Sequence, residues 1–183
     1  MHTIHHTSAV ILRSEPRGEY DKVYWLFTEY FGLVRAVATG VRKSAAKLKS
    51  QLVDYAFVEV DLVKGREVWR LVSARLIYQP LTDTTKPLAR GYVRALATLA
   101  RFIIDEGEHR ALYAHIEEVA HSIDIEVDPR AYDALAIWRI LVHLGYIDGH
   151  VERGFVQEVQ ALRESDIKAL VQTVNDTITQ THL

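Results

Sequence analysis

Residues 8–53 read SAVILRSEPRGEYDKVYWLFTEYFGLVRAVATGVRKSAAKLKSQLV. Three runs within it, Ala9–Leu12, Val23–Thr28 and Leu33–Thr39, are dominated by β-branched and aromatic residues, the composition of strands. Pro16 and Gly18 separate the first two runs and Gly32 the last two, which is turn chemistry. The third run ends at Gly40 and opens into a basic segment. From Tyr30 to Val53 there is no Asp or Glu, while Arg35, Arg42, Lys43, Lys47 and Lys49 contribute five positive charges. A one-signed stretch after a strand suits contact with a polyanion such as a phosphate backbone. The plain alternative is a solvated basic loop.

Working outward, Asp54–Val63 alternates, with Tyr55, Phe57, Glu59 and Asp61 on one side and Ala56, Val58, Val60 and Leu62 on the other. Lys64-Gly65 makes a hairpin turn, and Val68–Ile77 returns, with Arg70 opposite Trp69, Leu71 and Ser73. Five strands in about seventy residues, with one long connection, fit a small closed barrel of the OB or SH3-like kind. Toward the other end, MHTIHHT reads as an unstructured terminus whose three His have no regular ligand spacing. The segment from Gln79-Pro80 to Lys86-Pro87 reads as a linker.

Beyond the linker the apolar period becomes helical. Leu88, Tyr92, Leu96, Leu99 and Ile103 recur at spacings of three or four, and a second helix runs from about His109 to Ser122 with Leu112, Ile116 and Val119 inward. For a third, Asp128 is the N-cap, Pro129 the first position and Gly145 the close. Its core face is Leu135, Ile137 or Trp138, Leu141 and Leu144. A last helix starts at Ser165 and carries Ile167, Leu170, Val171, Val174 and Ile178. The expected fold is α+β, a five-stranded barrel over 1–80 followed by an all-helical domain over 86–183.

Composition agrees. A chain of 183 residues, 49% hydrophobic and 25% charged, can bury a core as one or two globular domains. No apolar run is long enough to span a bilayer and no signal-peptide pattern opens the chain. The absence of Cys removes disulfides and thiolate metal sites and suits a cytoplasmic protein. The net charge of −2 divides unevenly: residues 1–80 hold 12 Lys and Arg against 8 Asp and Glu, while 81–183 hold 10 against 16. Any phosphate contact is therefore expected in the first half.

The string from AVILRS through the GEYD turn to LFTEYFGLVRAVATGVRK and the following LK resembles the N-terminal domain of the bacterial RecO family of recombination mediators and DNA repair proteins. The likeness continues through EVWRLVSARLI and returns at AIWRILVHLGY, which is similar to a core helix of that family's helical domain. The resemblance implies that the barrel is an OB-fold. It also implies binding of single-stranded DNA and, more weakly, double-stranded DNA. The implied partners are RecR and the single-stranded DNA-binding protein, and the outcome is loading of the recombinase RecA or annealing of complementary strands. A nucleoid-associated cytoplasmic place follows. Many members carry a four-cysteine zinc module after the helix ending near LGY. Here Leu144-Gly145-Tyr146 runs straight into Ile147-Asp148-Gly149, so no zinc or other cofactor is expected.

On that reading Arg35, Arg42, Lys43, Lys47 and Lys49 position the phosphate backbone, helped by Ser44 and Ser50. Arg13, Lys64, Arg66 and Arg70 stand as secondary contacts. Of the barrel's aromatics, Trp25 and Tyr30 are expected to be exposed for base stacking, with Phe57 and Trp69 in the core. On the helix from Leu88, Arg90, Arg94 and Arg101 fall within about 40° of one another at about 100° per residue. This basic stripe beside apolar residues suits an acidic peptide with a hydrophobic end. The resemblance gives that peptide an identity, the acidic tail of the single-stranded DNA-binding protein, against the alternative of a merely solvated face.

Catalysis finds no support. There is no thiol nucleophile and no G-x-x-x-x-G-K-[ST] loop. The pairs Glu117/Glu118 and Asp105/Glu106 read as solvation, and His115, His121, His143 and His150 as surface or boundary residues without metal spacing. The expected mode is binding and handover, with no bond chemistry. A different class of function also fits: a protein-interaction adaptor of the same fold with little DNA affinity. An RNA-binding OB protein is a third, separable by comparing ribose and deoxyribose strands.

Overall fold

The computed structural model describes residues 3–43, 47–104, 106–151 and 154–181, with Lys47 described by its backbone alone. Ser44 and Asp105 lie outside the described residues. Two compact units result: residues 1–81 together with 104–110, and residues 82–103 together with 111–183.

The first unit is a closed barrel of β1 (Ile4–Arg17), β2 (Asp21–Thr28), β3 (Gly32–Ala38), β4 (Phe57–Val63) and β5 (Trp69–Tyr78), ordered β1-β2-β3-β5-β4 with β4 returning to β1. All neighbours are antiparallel except β3 and β5, which pair in parallel through Ala36 with Trp69 and Val37 with Arg70. This five-stranded Greek-key closure is the OB-fold. Inside it pack Ile11, Tyr24, Leu26, Val34, Val58, Val60, Leu62, Trp69 and Leu71. Burial pushes the Tyr24 phenol up to about 12, so it stays neutral. A 3-10 turn over Lys47–Ser50 bridges β3 and β4, and the Gln51 carboxamide oxygen accepts from the Leu76 amide of β5 at 2.9 Å.

Three local expectations are corrected here. From Ile4 onward the opening segment is a strand, because β1 begins there and pairs with β4 from Ile4–Val63 to Val10–Phe57. The fourth strand starts at Phe57, because Tyr55 takes a left-handed φ of 68° while its amide donates to the Ile11 carbonyl. Ser73 faces outward with Arg70, away from Trp69 and Leu71. The β4–β5 register slips between Asp61 and Leu62, and one added residue in β5 inverts the alternation beyond it.

The second unit is helical: α1 (Pro87–Phe102), α2 (Arg110–His121, whose first residue belongs to the first unit), α3 (Pro129–His143), α4 (Phe155–Ala161) and α5 (Glu164–Gln180). Asp128 caps α3 by accepting from the Arg130 amide at 2.8 Å, Pro129 opens the helix, and Gly145 sits beyond its end at φ 77°. Leu135, Ile137 and Leu141 are buried while Trp138 and Leu144 are half-buried. Gly91 lets α1 approach α3: a Cβ there would meet the Tyr132 ring at 2.8 Å. The short α4, anchored by Phe155 and Val159, offers too few apolar repeats for the sequence pattern to register.

No helix among the described residues is long and apolar enough to cross a membrane.

Candidate nucleic-acid interface

β1 divides the outside of the barrel. Its second half pairs only with β2, and on that side the register aligns Arg13 with Trp25 and Trp25 with Arg35. The three side chains form a row across three strands. The Arg13 guanidinium carbon lies 3.9 Å from the Trp25 ring centroid and that of Arg35 lies 5.7 Å from it, both within cation–π range. Both arginines are exposed and Trp25 is half-buried, because alternation turns Tyr24 into the core. Glu15 stands against the row, 3.4 Å from Arg13 in an exposed pair.

The β3 end continues this face. Gly40 turns the chain at φ 69°, and its amide donates to Asp21 at 2.8 Å. That turn lays Arg42 over the β1–β2 connection, where its guanidinium donates to the Gly18 carbonyl at 2.9 Å and its amide to the Tyr20 carbonyl. The Lys43 ammonium stands 5.3 Å from the Tyr20 ring centroid. Lys49 is exposed on the 3-10 turn, and Ser50 is exposed beside it. The Lys47 side chain lies outside the described residues. Sequence reasoning passed over Lys22 and Tyr20. Lys22 reaches Ser14 at 3.3 Å on the same two strands, and only the β1–β2 pairing could have revealed it.

The remaining sequence-derived residues are distributed elsewhere. Arg70 is exposed on β5 beside Val37, next to the end of β3. Arg66 is exposed in the β4–β5 turn. Lys64 is bound to Glu106 at 2.9 Å, and the same carboxylate meets the Trp69 indole N–H at 3.5 Å. Tyr30, 40% exposed, lines a depression with Glu29, Glu59 and Asp61 and carries the Arg110 guanidinium 4.8 Å from its ring centroid. It is not next to Trp25. On that side of β1 the His6 ring and the Ser73 hydroxyl both hydrogen-bond to Asp61, and Arg75 pairs with Glu59.

Phe57 and Trp69 are both buried.

In the helical unit α1, α3 and α5 enclose a groove of about 390 Å³ whose apolar lining includes Phe102, Ile137, Val171 and Ile178. Arg94 and Arg101 stand on its rim, and Arg90 is exposed on α1 outside the lining. Arg94 is already engaged with Asp133 across the groove.

Two polar groups of this unit depart from expectation. His115 is buried, and burial lowers its pKa to about 3, so it is neutral. One ring nitrogen donates to the Ala136 carbonyl at 3.1 Å and the other, Nδ1, has no hydrogen-bond partner. Glu118 does more than solvate a face. With Glu158 it holds the guanidinium of Arg139, a side chain 1% exposed. Among the described residues no group of three or more His, Asp or Glu converges as a metal site.

A closed OB barrel with a cationic strand face, joined to a helical unit with a basic-rimmed groove, defines an OB-fold protein of the oligonucleotide-binding architecture. The family model described as recombination protein O N terminal matches residues 1–80. The chain is 28% identical over 148 residues to the DNA repair protein RecO of Clostridium kluyveri, covering 76% of this chain and 55% of that protein. It is 32% identical over 111 residues to the DNA repair protein RecO of a Nocardioides species, covering 57% and 44%. With that of Clostridium perfringens it shares 29% over 123 residues, covering 66% and 49%. The chain thus spans about half the length of the curated relatives it matches.

Proposed function

We propose that the protein acts in DNA repair as a recombination mediator, binding single-stranded DNA and, more weakly, duplex on the β1–β2–β3 face. The observation that carries this reading is the Arg13–Trp25–Arg35 row, with Arg42 and Lys43 on the turn beyond β3 and Lys49 in the same basic segment, on a barrel that matches the RecO N-terminal family model. Cations there neutralise phosphates and release counterions, which gives affinity without sequence preference. Arg70 borders the face, and Lys47 belongs to the same basic segment.

The groove between α1, α3 and α5 takes an acidic peptide with a hydrophobic end, the tail of the single-stranded DNA-binding protein. Arg94 and Arg101 meet its carboxylates, Arg90 adds positive charge nearby, and the apolar lining takes its terminal side chain. With RecR the protein helps load RecA or anneal complementary strands. Its work is binding and handover.

The groove also supports a second reading, an adaptor with little DNA affinity. Fluorescence anisotropy separates the two. The mediator binds a labelled single strand with a steep salt dependence and binds duplex less tightly. The adaptor holds the acidic peptide but leaves both nucleic acids unbound at low salt.

A further inference from the structure

We infer that the barrel face reads the phosphodiester backbone, with its aromatic rings serving as supports for cations and no base stacked on them. This rests on the DNA-binding reading and specifies which part of the strand the face meets. A base stacks on a ring only where a π-face is open. The face of Trp25 is occupied at 3.9 Å by the Arg13 guanidinium, with Arg35 at 5.7 Å. On the face Tyr20, 46% exposed, has the Lys43 ammonium 5.3 Å from its ring centroid, and across β1, off that face, Tyr30 has Arg110 at 4.8 Å. Each of these exposed or half-exposed rings therefore presents a cation to solvent.

Arg13 and Arg35 approach Trp25 from the two flanking strands, so one indole holds two guanidinium groups, one from each neighbour. Guanidinium is the group whose planar fork matches phosphate oxygens in a bidentate way, and fixing it on a ring lowers the ordering cost of binding. An incoming phosphate displaces Glu15 from Arg13, an exposed contact at 3.4 Å and so a weak one. A strand held in this manner turns its bases away from the barrel, where they stay available for pairing. Trp25 is thus a positioning residue for the two arginines.

The test compares a labelled oligodeoxynucleotide with an equal-length strand of abasic phosphodiester units at matched salt. The expected result is affinities within about threefold and equal salt slopes, because the phosphates are the same. A tenfold or larger loss for the abasic strand, the size expected from losing one stacked base, overturns the inference and leaves the DNA-binding reading intact. Failure of both strands to bind overturns the two together. Trp25→Phe and Trp25→Leu give a second measurement. Phe keeps a π-face and retains binding, whereas Leu weakens both strands to the same degree. A Trp25→Leu variant that loses affinity for the base-bearing strand alone contradicts the assignment.

Discussion

Arg94 of α1 aims its Nε hydrogen at both carboxylate oxygens of Asp133 on α3, at 2.8 and 2.9 Å. Asp133 thereby occupies a cation that a carboxylate of the proposed peptide would otherwise meet. Replacing Asp133 by Asn releases Arg94 and removes a negative charge from the rim. Affinity for an acidic peptide ending in Phe is expected to rise about threefold to tenfold, and to fall about tenfold in Arg101→Ala, the scale of a hydrogen bond to a charged group. Isothermal titration with the synthetic peptide measures both. Weaker binding by Asp133→Asn would show that the carboxylate orients Arg94 for the ligand.

Arg139 is the largest fully buried side chain, and Glu118 and Glu158 both hold its guanidinium. Removing one partner of a buried charge pair costs about 3–5 kcal/mol, and the half-exposed carboxylates left behind can rehydrate, which favours the low end. Arg139→Ala is expected to lose about 3 kcal/mol in urea unfolding. Arg139→Met, which refills the volume, should lose less. Equal stability of wild type and Arg139→Ala would rule out a structural role for the pair.

His115 gives the helical unit a pH dependence. Its folded pKa, about 3, lies below its unfolded value near 6.5, chiefly through burial and with Arg139 and His143 adding to the depression. The unfolded chain therefore takes up a proton first as pH falls. Stability is complete above about pH 6.5 and declines below it by up to about 1.4 kcal/mol per pH unit until about pH 3. Urea unfolding at pH 7 and pH 5 should show the loss, and His115→Gln should flatten it. An unchanged midpoint between these pH values for wild type contradicts neutral burial.

Gly91 sets the α1–α3 approach. In an open helix Gly→Ala gains about 1 kcal/mol of propensity. Here the new methyl would stand 2.8 Å from the Tyr132 ring, which is itself fixed because its hydroxyl donates to the Val119 carbonyl at 2.6 Å. Overpacking of about 1–3 kcal/mol outweighs the propensity gain, so Gly91→Ala is expected to lower the melting temperature. A rise would mean that the helices part freely.

Barrel and helices were legible wherever periodicity is strict. Val58, Val60 and Leu62 line the barrel, and Leu88, Tyr92, Leu96 and Leu99 line α1, as their spacing requires. The pattern failed at Ser73, because a single inserted residue inverts a period of two, and at Tyr55, because a left-handed residue breaks a strand without changing composition. Of the basic face, the segment from Arg35 to Lys49 stands out as a run of charge. The alignment of Arg13 with Trp25 and Arg35 depends on strand register, which sequence does not display. Arg139 escaped notice because a cation flanked by apolar residues reads as exposed until its two carboxylates, some twenty residues to either side, are brought to it.

One comparison of salt slopes tests most directly whether DNA meets the β1–β2–β3 face. Single-strand affinity is measured against salt for wild type, for a variant with Arg35, Arg42, Lys43 and Lys49 changed to Ala, and for a Lys64→Ala, Arg66→Ala variant. Each lost phosphate contact flattens the plot of log K against log salt by about 0.7. The expected outcome is a slope shallower by about two or more units for the first variant and nearly unchanged for the second, whose Lys64 is bound to Glu106. Equal slopes for wild type and the first variant would contradict the claim, as would a loss confined to the second.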